Sequence, residues 1–288
     1  MKKESHAAHL INTRSHDWVS PTFAEQAYCE KRIERSLRSP RNLVSVPAEL
    51  DLDSPEAKSQ EELASGGKDF HESISHGAWS VSVSELENGL RAGQSIALAE
   101  SSFQGDYDGL PLIGQPDAIL FEGMRATHVL EYKVTDSDQL QQSHRVQLLL
   151  YGYLIAQQNF NVDNLILICV LVPRCHGKWL GKLTPAKAQN FIEIIRIKAE
   201  TLIASRPSRK NWHCLGLTVH RDIRVNLRVF KYDREKAERE LEFFTRYWRG
   251  EREAIPTTMA RKCALCLYNL LEFCPVPRVS YGEQLSKT

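Results

Sequence analysis

The chain has 288 residues, 42% of them hydrophobic and 25% charged, with a formal net charge of +1. This is enough for a substantial core, in one large domain or two small ones, and the composition is that of an ordinary soluble globular protein. The charge balance excludes a bulk pull toward nucleic acid, so any such surface must be a local basic patch, and no apolar run reaches the roughly 18 residues that span a membrane.

Residues 1–20 are polar and histidine-dotted, without the apolar stretch of a signal peptide, and read as a flexible lead-in to a single domain over 21–288. That reading places the protein in a reducing, cytoplasmic or otherwise intracellular setting. Seven cysteines there, an odd number, suit metal ligation and buried thiols better than disulfides. Residues 21–37, with Pro21 near the start and Phe23, Ala27, Ile33 and Leu37 among charges, predict a short helix carrying Cys29. Residues 39–68 turn to Pro, Ser, Asp and Glu and predict a long connection, followed by a short helical segment around His71.

The centre is rich in strand signals: 95–100, 110–121 and 127–134, with Glu122-Gly123 as the turn between the last two. A long helical pattern over 137–160 carries Leu140, Val146, Leu150 and Leu154 on its apolar side. The unbroken apolar run 165–172 predicts a buried strand. A helix over 185–205, strands over 215–220 and 223–230, and a helix capped by Asp233 complete the body. In that last helix Ala237, Leu241, Phe244 and Trp248 recur at near-helical spacing and read as core. The order predicts an α/β fold, a mixed β-sheet flanked by helices.

Within this frame two clusters carry chemistry. Gly114-Gln115-Pro116-Asp117 precedes Glu131-Tyr132-Lys133 on the next apolar run. Glu131 and Lys133, two apart on a strand, share a face, and Asp117 on the neighbouring strand can converge with them. A charged pair on an otherwise apolar central strand calls for a reason, because burying unpaired charge is costly. Two carboxylates and a lysine are what metal-dependent phosphodiester hydrolysis uses: hard oxygen ligands for Mg²⁺, and a cation to orient water or offset charge on the phosphate. The second cluster, Cys263-Ala264-Leu265-Cys266 and then Cys274, puts three soft ligands close together and leaves a fourth position open, for zinc or for an iron–sulfur cluster.

On these residues the chain resembles the PD-(D/E)XK nucleases, in particular the RecB-like branch with an iron–sulfur cluster. Gly67 to His71 resembles that branch's upstream glycine-to-histidine motif, Gly114 to Asp117 its glycine-x-x-aspartate element, Glu131 to Lys133 its glutamate-x-lysine element, and Gln147 with Tyr151 its glutamine-x-x-x-tyrosine element. The resemblance spans Tyr28 to Pro275 and implies a restriction-endonuclease-like fold. It further implies catalytic Asp117, Glu131, Lys133, Gln147 and Tyr151, and a Mg²⁺ or Mn²⁺ site of His71, Asp117, Glu131 and Tyr132. Cys29 takes the place of the subset's upstream cysteine, so that Cys29, Cys263, Cys266 and Cys274 are expected to hold a [4Fe–4S] cluster joining the two ends of the chain. The seven residues between Cys266 and Cys274 exceed the usual interval and keep zinc as an alternative.

The family comprises CRISPR-associated RecB-like exonucleases, the AddB nuclease domain and the exonuclease V family. It implies a metal-dependent deoxyribonuclease acting on DNA with single-stranded ends, in CRISPR adaptation or repair and alongside proteins of those pathways. The alternative is a non-catalytic module that binds DNA or protein on the same scaffold. Lys178-Trp179, Arg206–Lys210 with Trp212, and Arg221, Arg224 and Arg228 mix basic and aromatic residues in a way that suits single-stranded DNA.

Overall fold

Strands rich in Val, Ile and Leu supply the frame on which the acidic residues sit. The computed structural model describes residues 29–31, 83–99, 101–135, 138–173, 184–205, 213–220 and 223–255. In chain order these give α1 (Val83–Arg91), β1 (Ser95–Ala99), β2 (Phe103–Tyr107), β3 (Leu110–Gly114), β4 (Ala118–Glu122), β5 (Arg125–Val134) and α2 (Gln142–Gln157). Then follow β6 (Ile166–Val172), α3 (Pro185–Ser205), β7 (His213–His220), β8 (Ile223–Lys231) and α4 (Arg234–Trp248). The expected helix around Cys29 is described only at 29–31, and His71, Cys263, Cys266, Cys274 and the segments 1–20 and 39–68 lie outside the described residues. Among the described residues no helix is long and apolar enough to cross a membrane.

Six strands form one mixed sheet in the order β1-β4-β5-β6-β8-β7, in which only β5 and β6 run parallel. Helix α2 makes the crossover that a parallel pair requires. One face of the sheet, with Ile119, Val129, Leu167, Cys169 and Leu171, packs under α2, α4 and the separate β2–β3 hairpin. The other, with Leu130, Tyr132, Ile168, Val170 and Leu227, packs under α3 through Phe191, Ile192 and Ile195. β6 is buried at every position, as its continuous apolar run predicts. Helix α2 is buried almost all round, because the sheet, the hairpin and α4 enclose it. Helix α4 begins as expected: the Asp233 carboxylate accepts from the Lys236 N–H, and Ala237, Leu241, Phe244 and Trp248 are all buried.

Three expectations change. The run 110–121 is two strands in different sheets rather than one, broken at Gln115-Pro116-Asp117. Proline has no N–H to give a ladder, and the break places Asp117 at the head of β4. The helix expected over 137–160 begins at Gln142, and Asn159, at φ 63°, turns the chain out of it. Finally, α1 and β2 were not foreseen. The Gly105–Gly109 stretch reads as turn chemistry, yet only Asp108 (φ 53°) and Gly109 (φ 78°) turn, in a two-residue hairpin whose preceding strand is β2. Asp106 does serve the turn, accepting from the Gly109 N–H at 3.0 Å.

Candidate functional site

The pairing of β4 with β5 sets the acidic residues opposite one another. Ala118 pairs with Leu130, so one step further along the antiparallel ladder brings Asp117 opposite Glu131. The Tyr132 N–H donates to Asp117 Oδ2 at 2.6 Å, which anchors that carboxylate to β5 where the sequence break leaves it. Glu131 is only 2% exposed on the central strand. Its Oε1 accepts from Lys133 Nζ at 2.5 Å, the two side chains sharing a face as their spacing requires.

Above them α2 contributes Gln147 and Tyr151, one helical turn apart, with Gln147 Nε2 donating to the Tyr151 hydroxyl at 2.5 Å. Tyr151 reaches this position because Gly114 makes room for it. A Cβ at Gly114 would stand 2.8 Å from Tyr151 Cδ1 and 2.9 Å from Cε1. The two sequence elements, glycine-x-x-aspartate and glutamine-x-x-x-tyrosine, are therefore in direct contact. Neither the need for a glycine here nor its partner is visible in either motif alone.

The electrostatics show two carboxylates whose charge is felt by every neighbour. Burial works against the Lys133 ammonium, but the charge and hydrogen bond of Glu131, with help from Asp117, outweigh it and raise its pKa above the ordinary value. The shift favours the charged form of Lys133 beside these carboxylates. The Tyr151 hydroxyl is raised well above its usual value by burial first and then by Glu131 and Asp117. Cys169, beside Glu131 on β6, is raised in the same way, burial leading, and stays a neutral core thiol.

Hard oxygen donors, one buried and one half-buried, are the chemistry that a divalent ion such as Mg²⁺ complements. Asp117 and Glu131 fit that role. The Tyr132 ring points to the opposite face, fully buried against Phe191 with centroids 6.3 Å apart, so only its main chain borders the acidic pair. His71, the remaining expected ligand, lies outside the described residues; among those described, no group of three His, Cys, Asp or Glu side chains is placed to hold a metal.

Away from the acidic pair in sequence, an unforeseen contact fastens residues 29–31. Glu30, 3% exposed, receives both terminal nitrogens of Arg252, 222 residues away, and its Oε2 also accepts from the Ile255 N–H at 2.8 Å. The Glu30 N–H in turn donates to the Ile255 carbonyl at 3.1 Å. Arg252 lies over the Phe243 ring at 4.3 Å from its centroid. Cys29 is thereby carried against the segment 252–255, the stretch of chain that leads toward Cys263. A Glu in the midst of Ala27–Arg32 gives no sequence signal that it is buried, since its partner is set only by the fold.

A family model described as the PD-(D/E)XK nuclease superfamily matches residues 16–275. No curated protein matches the chain.

Proposed function

The chain belongs to the PD-(D/E)XK nuclease superfamily, and from that premise we propose that it is a divalent-metal-dependent deoxyribonuclease, an exonuclease acting on single-stranded DNA ends. The observation that carries this reading is the placement of Asp117 opposite Glu131, with Lys133 hydrogen-bonded to Glu131 on the same strand face. Asp117 and Glu131 are the residues that would hold Mg²⁺ or Mn²⁺, joined by His71 and the Tyr132 main chain. When bound, such an ion polarises the phosphodiester and lowers the pKa of a coordinated water.

The chain's own residues then have distinct tasks. Lys133, held on the strand face by its hydrogen bond to Glu131, orients the attacking water and offsets negative charge as it grows on the phosphate oxygens. Gln147 and Tyr151, linked to each other and neutral, position the strand by hydrogen bonds. Glu131 and the peptide of Tyr132 fix the lysine and Asp117 respectively. The same reading gives Cys29, Cys263, Cys266 and Cys274 a [4Fe–4S] cluster with a structural task, clamping the chain ends together. Its support is the segment 29–31, pinned to 252–255. CRISPR adaptation and DNA repair are the settings such a nuclease would serve.

The test is an anaerobic purification followed by a visible spectrum and a cleavage assay on end-labelled single-stranded DNA with Mg²⁺, Mn²⁺ or EDTA. A brown protein that cuts only with metal, releasing products from an end, is expected. A protein that binds the strand but cuts it in neither metal would favour the non-catalytic reading instead.

A further inference from the structure

The register of the sheet carries the row of the acidic centre well beyond it. Glu131 pairs with Cys169, Cys169 with Arg228, and Arg228 with Cys214. The next row on the same face runs Lys133, Leu171, Asn226 and Gly216. Cross-strand partners share a face, so Arg224, Asn226 and Arg228 of β8 and Cys214, Gly216 and Thr218 of β7 all look out from the side of the sheet that bears Glu131 and Lys133. Cover falls away along these rows. Cys169 and Leu171 are buried, Asn226 and Arg228 half-buried, and Cys214, Gly216, Thr218 and Arg224 exposed. On the opposite face the same two strands are covered by α3. The result is an open shelf beginning two strand spacings, about 10 Å, from Glu131.

Two independent features of the shelf point to a ligand. The first is uncompensated positive charge. Most other arginines on the described surface, Arg91 excepted, lie against carboxylates: Arg125 on Glu122, Arg145 on Glu240, Arg196 on Glu200, Arg234 on Glu238, Arg249 on Asp108. Arg228 donates instead to two main-chain carbonyls, those of Asp138 and Leu227, which leave its charge in place. Among the described residues Arg224 has no carboxylate partner either. The second is Gly216. A glycine inside a strand costs about 0.5–1 kcal/mol relative to alanine and needs a reason. The described residues provide none: the Gly216 backbone is not in the left-handed region, and among them a Cβ there would meet nothing nearer than Asn226 Oδ1 at 3.6 Å. A bare strand surface lets another backbone approach closely.

We propose that the β7–β8 shelf is the track for the DNA strand being cut, with Arg224 and Arg228 on its phosphates and Gly216 admitting its sugar–phosphate backbone against the sheet. This rests on the nuclease reading and adds to it the path by which the strand reaches the acidic centre. The shelf's described face offers no aromatic ring, so it grips the backbone rather than stacking bases, and it contributes affinity without sequence preference.

The experiment measures anisotropy of a labelled single-stranded oligonucleotide of mixed sequence over a series of salt concentrations, in Ca²⁺, for wild type, Gly216→Glu, Arg224→Gln and the double variant Arg224→Gln/Arg228→Gln. Melting temperature and Mn²⁺-dependent cleavage are recorded alongside. Neutralising one phosphate-binding arginine should flatten the slope of log K against log salt by about 0.7, and neutralising both by about 1.4. Gly216→Glu should weaken binding at least tenfold without lowering the melting temperature. Variants that bind and cut like wild type would overturn the shelf while leaving the nuclease reading intact. So would weakened binding with an unchanged salt slope and a lowered melting temperature, because that would mean damage to the fold. A wild type that neither binds nor cuts would remove the nuclease reading, and the shelf with it.

Discussion

Gly114→Ala probes the contact that joins the two halves of the acidic centre. The added methyl would lie 2.8 and 2.9 Å from Tyr151 Cδ1 and Cε1, and 3.0 Å from Leu154 Cδ1. Carbon atoms settle at about 3.5–4.0 Å, so the ring must retreat by about 0.7 Å or more. It has little room to do so. Tyr151 is 4% exposed, stands on a helix enclosed on nearly every side, and is tied to Gln147. Overpacking of this kind costs about 1–3 kcal/mol, and a displacement approaching 1 Å beside a reacting group can cost about 10²-fold in rate. Urea unfolding and single-turnover cleavage should therefore both report the substitution. In a Tyr151→Ala background the ring clash is gone and only the 3.0 Å approach to Leu154 Cδ1 remains, so the stability cost of Gly114→Ala should fall by about 1 kcal/mol or more. An equal cost in both backgrounds, or none in either, would refute the packing argument.

Other outcomes follow from separate parts of the molecule. His128, buried under α3 with Thr127 Oγ1 3.0 Å from its Nδ1 and Glu200 Oε1 3.5 Å from its Nε2, has its pKa lowered from 6.5 to about 4, by burial first and then by Arg196, against the opposing pull of Glu122 and Glu193. Between those values the unfolded chain binds the proton and the folded chain does not, so stability should drop by ~3 kcal/mol as pH falls from 6.5 to 4. In His128→Leu that share of the acid sensitivity, read by urea unfolding at several pH values, should vanish. Glu30→Gln leaves Arg252, 13% exposed, without its counter-charge and should cost about 3 kcal/mol, the lower end for a broken buried pair because two carbonyls and the Phe243 ring remain; an unchanged unfolding midpoint would show the clasp to be energetically idle. Cys29→Ala should empty the protein of iron and sulfide by elemental analysis. A wild type carrying stoichiometric zinc and no iron would keep the four ligands and reject the cluster.

Much of the sheet was legible because burial on both faces leaves an unambiguous mark. The continuous apolar run of β6 and the stripe Ala237–Leu241–Phe244–Trp248 of α4 each have one physical explanation, and the structure has them as expected. The acidic pair was legible for the opposite reason, as charge on an apolar strand. Glu131, at 2% exposure, shows how far that charge is buried. What the sequence hid were contacts between distant segments. The strand break at Pro116 looked like the middle of one apolar run, because hydrophobicity does not record which sheet a strand joins. The Asp108-Gly109 turn had a readable hairpin signature, but Gly105 beside it made the whole stretch look irregular. Glu30 with Arg252, and Gly114 with Tyr151, are pairs whose members are ordinary alone.

The nuclease reading turns on Asp117 and Glu131 forming a divalent-metal site that serves DNA cleavage. Titrating Mn²⁺ calorimetrically into wild type, Asp117→Ala and Glu131→Ala, with cleavage of single-stranded DNA measured on the same preparations, addresses it most directly. The expected result is Mn²⁺ binding and cutting by wild type, and loss of both in each variant with the fold retained by circular dichroism. Cutting by Asp117→Ala or Glu131→Ala at the wild-type rate would contradict it.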